Sequence, residues 1–140
     1  LLVGNADELW YLSNYQNKIQ QLSNGIYGLS NHLLDTPWPK VANGKRMFLE
    51  LMRSKHLKAS ELFEFLFNME RAPDNELPDT GIGLEKERLL SSMFIKSNGY
   101  GTRSSTVVLV KYTGEVHYTE RLYDLNTFAF KDVAFQFQLN

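Results

Sequence analysis

The sequence contains no cysteine, which excludes disulfides, thiolate metal sites and a thiol nucleophile supplied by this chain. It also lacks an excess of one charge. Lysine and arginine number 15 against 16 aspartate and glutamate, a formal net charge of -1, so nothing electrostatic favours nucleic acid or an anionic membrane as partner. No apolar run approaches the roughly 18 residues that span a bilayer. The opening LLVGNADELW has neither the basic flank nor the length of a signal peptide. These absences predict a soluble protein with no nucleic-acid partner and no membrane span; the lack of cysteine does not fix a compartment, and an intracellular, cytoplasmic location is the expectation. Histidine is scarce as well. His32, His56 and His117 are too scattered for a spacing such as His-x-x-x-His, so no metal site and no cofactor is assigned. His56 is read as ending a helix and His117 as solvated.

What is present reads as a single α+β domain, residues 1–140, with antiparallel sheets covered by helices. Residues 1–4 and 8–13 are strand-like runs around a turn composition, and 18–22 and 25–29 flank Ser23-Asn24-Gly25, the strongest short hairpin signal. An antiparallel meander is expected over the first thirty residues. Beyond Pro37 and Pro39 the period becomes helical, with Val41, Lys45, Phe48, Leu49 and Met52 predicting a helix over 39–54. Gly44 inside it marks either close packing or a break. Ser60 is the expected cap of a second helix with the stripe Leu62, Phe63, Leu66 and Phe67. Both helices should lie on a sheet. An exposed loop over 71–83, a short helix over 84–93 and strands over 106–112 and 116–123 follow. In the last strand Val133, Phe135, Phe137 and Leu139 alternate with Ala134, Gln136 and Gln138, predicting one buried and one polar face. The chain opens on Leu1 in strand-like composition and is read as a piece of a longer protein.

The stretch YGLSNHLLDTPWPK, residues 27–40, runs a strand-like segment into Gly28 and Asn31 and then into two prolines around a tryptophan. Asn31, placed before a forced change of direction, could donate its amide to a carbonyl oxygen in a cleft; equally, it could be a turn asparagine bonding its own backbone. Trp38 is expected to be a packing anchor. Arg103, between Gly99-Tyr-Gly101 and a strand, could face an anionic group or a thiolate, or else serve as a surface charge or structural ion pair. No helix follows Gly99-Tyr-Gly101 and no Walker lysine accompanies it, which rejects phosphate binding. Ser104, His32 and Asp35 make a triad only on paper, without a Gly-x-Ser-x-Gly elbow.

GIYGLSNHLLDTPWPKVANGK (25–45), LLSSMFI (89–95) and NGYGTRSSTVVLV with GEVHYTER (98–121) together resemble the NRDE family, also called the transport and Golgi organisation protein 2 family. The resemblance implies an N-terminal nucleophile hydrolase-like fold of four αββα layers, with a cysteine directly after the initiator methionine and an Asn-Arg-Asp-Glu motif soon after it. Neither feature is in this sequence, so the chain resembles the C-terminal half of such a protein, lacking its N-terminal half. More distantly the layout is similar to the penicillin acylase and choloylglycine hydrolase group. That likeness implies an oxyanion-hole role for Asn31 and a place beside the nucleophile for Arg103, with Tyr27, Ser30, His32, Trp38 and Thr102 as pocket lining. The resemblance implies either a cysteine-dependent amide hydrolase acting on a small amide, of which this chain alone is inactive, or a haem-trafficking protein linked to secretory-pathway organisation. For haem, Trp10, Tyr11, Trp38 and the phenylalanine-rich helix are the expected slot. An uncovered sheet face further predicts either association with the missing half or a homo-oligomer.

Overall fold

Strands β1 (Leu2–Gly4), β2 (Leu9–Ser13) and β3 (Lys18–Leu22) form an antiparallel sheet in that order of a computed structural model that describes residues 1–5, 7–54 and 57–139. Asn5 closes the first turn: its Oδ1 accepts from the backbone N–H of Asp7 and of Glu8, at 2.8 and 2.9 Å. The second hairpin is not the expected one. Residues 14–17 make it, with Asn17 at φ 46° and Ser13 Oγ accepting from the Tyr15 N–H at 3.1 Å.

Residues 25–29 form no strand, contrary to the sequence reading. The polar groups there are spent locally. The Tyr27 hydroxyl donates back to the Ser23 carbonyl at 3.0 Å, and both backbone groups of Gly28 are bound to Asp35, at 2.8 and 2.7 Å. A backbone so clasped has nothing left to offer a ladder. β3 meanwhile finds its partner in β2, where Trp10 faces Gln21 and Leu12 faces Ile19.

Helix α1 (Pro39–Leu51) begins on a proline, as expected, and ends three residues earlier than expected. Helix α2 (Ala59–Leu66) starts one residue before the expected cap: the Glu61 carboxylate accepts from the Lys58 N–H at 2.8 Å, so the first turn is closed without Ser60. Phe67 lies just beyond the helix. His56, read as a helix end, falls outside the described residues. Helix α3 (Leu84–Leu90) is shorter than predicted. A small hairpin of β4 (Lys96–Ser97) and β5 (Tyr100–Gly101) turns at Gly99, φ 72°, a left-handed angle that glycine adopts without strain.

β6 (Ser104–Val110), β7 (Glu115–Tyr123) and β8 (Phe130–Gln138) make the third sheet, antiparallel and in sequence order. The fold is thus α+β, with three antiparallel sheets and three helices among the described residues. α2 lays Leu62 and Phe63 on Val107, with Leu109 packed beside them, and α1 meets α2 through Phe48 and Phe65, whose rings are 5.8 Å apart. Among the described residues α2 makes the main contact with the sheet, while α1 stacks on α2 and reaches the same cluster through Phe48 and Leu51. The second core is aromatic. Phe94 is fully buried, its ring 4.4 Å from that of Phe67 and 4.8 Å from that of Tyr123. Arg121 joins the two: Asp132 accepts from it at 2.8 and 2.9 Å, while its guanidinium sits 4.4 Å from the Phe63 ring and 3.8 Å from the Phe130 ring.

The alternation of β8 is present, but its apolar face is not buried. Phe135 and Phe137 are 59% and 51% exposed, because the covering helix took the opposite face. In register with them stand Tyr118 and Val108, and Val116 and Val110, of which only Val116 is buried. His117 is also not simply solvated, since it is half-buried and pairs with Glu115 at 2.6 Å. Among the described residues no helix is long and apolar enough to cross a membrane.

Candidate functional site

The loop between β3 and α1 is held by one carboxylate. Asp35, at φ 58°, accepts from the Gly28 N–H and pairs with Lys45 of α1 at 2.8 Å, tying the loop to the helix it precedes. Desolvation pushes the Asp35 carboxyl up, but hydrogen bonds from Lys45 and from the Gly28 N–H, with the Lys45 charge, outweigh it and hold it below its ordinary value. The link therefore adds stability at neutral pH that disappears as pH falls through the depressed folded-state value. The stability gap between the protein and its Asp35→Asn variant should stay constant from neutrality down to about pH 4, near the unfolded carboxyl's value, and close below it. Urea midpoints across that range measure this, and a gap unchanged at pH 3 would contradict it.

The loop so anchored forms one wall of a cavity of about 590 Å³, with the inner face of α1 opposite and residues 92–95 at one side. Leu29, Val41, Phe48, Phe65 and Ile95 make its surface largely apolar, and Lys40 and Lys45 stand among them. Gly44 is buried where α1 approaches Met93 closely: a Cβ there would lie 3.2 Å from the Met93 sulfur. A second cavity of about 230 Å³ lies between the start of α1, α3 and residues 78–82, and Asn31 and Lys40 line both cavities.

Lys40 Nζ donates to the Leu90 carbonyl at 2.9 Å and to Asn31 Oδ1 at 3.4 Å. Burial pushes the Lys40 ammonium below its ordinary value, partly offset by the charge of Glu87. Asn31 Oδ1 also accepts from Ser30 Oγ at 3.2 Å. The asparagine is thus not bonded to its own backbone, and no acceptor engages its Nδ2 among the described residues.

The sequence-derived candidates separate in space. Tyr27, Ser30 and Asn31 line the larger cavity, and Trp38 lines the smaller one with Asn31. His32 lines neither. Its Nδ1 meets Thr36 Oγ1 at 2.8 Å and its ring lies 5.7 Å from that of Trp38, so it fixes the proline corner and forms no triad with Asp35. Thr102 acts through a neighbour, with its N–H on the Ile95 carbonyl and its Oγ1 accepting from the Ile95 N–H, at 2.8 and 2.9 Å. Arg103 is exposed and lies on the wall of neither cavity. The expected convergence of Asn31 and Arg103 on one cavity is therefore not found in this chain: Arg103 directly precedes β6, where its carbonyl accepts from the Tyr123 N–H at 2.9 Å, and the cavity is on the α1 side. Of the expected haem slot, the phenylalanines of α2 contribute Phe65, whereas Trp10 and Tyr11 do not line it. Lys40, Lys45 and Met93 were not foreseen. The signal was available, since Val41, Gly44, Lys45 and Phe48 fall at i, i+3, i+4 and i+7 on one helical face.

The family described as Transport and Golgi organisation 2 matches residues 1–125. Human Transport and Golgi organization protein 2 homolog is 40% identical over 108 residues, covering 71% of this chain and 39% of that protein. The mouse homolog is 34% identical over 127 residues, 84% of this chain and 46% of its own length. Drosophila melanogaster Transport and Golgi organization protein 2 is 32% identical over 121 residues, 78% of this chain and 41% of its own. The chain spans less than half the length of these curated relatives. With a match running from β1 through β7 and taking in the anchored loop and the three described helices, this chain belongs to the Transport and Golgi organisation 2 family.

Proposed function

We propose that this chain is the C-terminal part of a protein that carries an amphipathic small molecule of haem's kind, seated in the cavity along α1. One observation carries the reading: a cavity of about 590 Å³ with mainly apolar walls has two ammonium groups, those of Lys40 and Lys45, among its lining residues. A flat apolar body would lie among Val41, Phe48 and Phe65, gaining roughly 25 cal/mol per Å² removed from water. Carboxylates at its edge would meet Lys40, which has no carboxylate within ion-pair distance among the described residues. The Met93 thioether, on the same wall, is of a type that ligates haem iron. A second layered half, supplied by the rest of the protein, would cover the exposed Phe135 and Phe137 face and complete the four-layer arrangement.

Titrating the full-length protein with haemin should give a saturable shift of the Soret band. Lys40→Met should weaken binding about tenfold, the loss of one charge-assisted contact. An unshifted Soret band at saturating protein would overturn the reading.

A second reading is favoured by the Asn31 Nδ2, which no acceptor engages among the described residues. In an amide hydrolase whose cysteine nucleophile comes from outside this chain, that amide would donate to the oxyanion, and this chain alone would be inactive. Removing such a donor typically costs 10²–10³ in kcat. Amide turnover by the full-length protein that falls by this factor in Asn31→Ala supports hydrolysis, and the absence of turnover rejects it.

A further inference from the structure

The smaller cavity has a chemistry of its own. Glu87 of α3 is only 7% exposed, yet it carries a carboxylate into a space walled by Trp38, Pro39, Pro78, Ile82 and Leu90. One of its oxygens is fully employed: Oε1 accepts from the Thr80 N–H at 2.8 Å and from Thr80 Oγ1 at 2.5 Å. The other, Oε2, accepts no hydrogen bond among the described residues. No fully buried side-chain oxygen lacks a partner among the described residues, so Oε2 faces the solvent-accessible space of the cavity and is open to a donor that enters it.

Lys40 does not reach that oxygen. Two of its three ammonium N–H groups go to the Leu90 carbonyl and Asn31 Oδ1, no ion pair joins it to Glu87 among the described residues, and the third N–H is left for a ligand. One recess therefore holds a held-apart positive and negative group with an apolar wall of one indole ring, two prolines and two aliphatic side chains.

We propose that this cavity binds a small zwitterion, an α-amino acid with an apolar side chain, its ammonium on Glu87 Oε2, its carboxylate toward Lys40 and its side chain against Trp38 and Ile82. A simple cation would be repelled by Lys40 and a simple anion by Glu87. A wholly apolar ligand would leave both charges unsolvated. Only a molecule bearing both signs compensates both groups at once. The volume of about 230 Å³ lies below the usual range for drug-sized ligands, about 300–1,000 Å³, which fits a molecule of amino-acid size. The proposal goes beyond the haem reading but shares Lys40 with it; its test uses no haem, so the two can fail separately.

Isothermal titration calorimetry of the full-length protein compares L-leucine, N-acetyl-L-leucine and L-leucine amide. The last two each remove one charge from the ligand and leave the protein intact. Saturable binding of leucine, weakened at least tenfold for each analogue, is expected. In Glu87→Gln, which keeps an oxygen to accept from Thr80, leucine should bind at least tenfold more weakly while N-acetyl-leucine changes little. Absence of saturable leucine binding overturns the proposal. So does N-acetyl-leucine binding as tightly as leucine, which would show that Glu87 does not read the ammonium.

Discussion

Replacing Phe94 by alanine lowers the unfolding free energy by about 3–5 kcal/mol, the range for truncating a buried aromatic. Phe94 has no exposed surface, and its ring touches three elements that are distant in sequence: Phe67 after α2 at 4.4 Å, Tyr123 at the end of β7 at 4.8 Å, and Phe128 in the β7–β8 connection at 6.1 Å. Its backbone is equally committed, with the N–H on the Asn68 carbonyl at 2.8 Å and the carbonyl accepting from Ser92 Oγ at 2.8 Å. Main-chain bonds at both sides keep the site from collapsing after truncation, so the cavity persists and the cost falls at the upper end. Phe94→Leu, which retains volume, should recover more than half of the loss. Urea denaturation measures both, and a loss below about 1 kcal/mol for Phe94→Ala would mean that the ring is not a core residue.

Gly28→Val should cost about 1–3 kcal/mol by overpacking and weaken ligand binding in the larger cavity. A Cβ at Gly28 would lie 2.7 Å from Val41 Cγ1. Valine is stiff about its first side-chain bond, so it cannot swing aside as a long chain would, and the loop must lift from α1. Lifting it stretches the two Gly28–Asp35 hydrogen bonds and the Asp35–Lys45 pair together. Adding Val41→Ala should restore part of the loss, a coupling expected only between residues in contact. Purely additive effects of the two substitutions would place the clash elsewhere.

The Asp35 clasp on Gly28 also explains why residues 25–29 are not a strand. Gly25–Leu29 has strand composition and sits beside an Asn-Gly pair, but composition cannot see that Asp35, seven residues ahead, will claim both backbone groups of Gly28. The helices were legible because apolar spacing and the Pro39 start are local. Their ends were not, since Ser60 was passed over once Glu61 reached the Lys58 N–H. The first two strands of the third sheet were legible from composition and a hairpin turn and the last from alternation, but which face is covered depends on where α2 lands, and Val107 rather than Phe135 received it. At the site, Asn31 drew attention because a proline corner follows it. Glu87 did not, because a glutamate in a short helix is ordinarily solvated, whereas here Thr80 returns to bond its carboxylate and the walls of the smaller cavity surround it. Arg103 carried the family resemblance, but a motif gives no direction in space.

The central claim is that the loop over residues 26–31, α1 and residues 92–95 together form the seat of the ligand. Hydrogen–deuterium exchange of the full-length protein with and without haemin tests it most directly. The account predicts added protection over 26–31, 40–48 and 92–95, with 104–123 unchanged. Protection confined to 104–123, around Arg103, would contradict it.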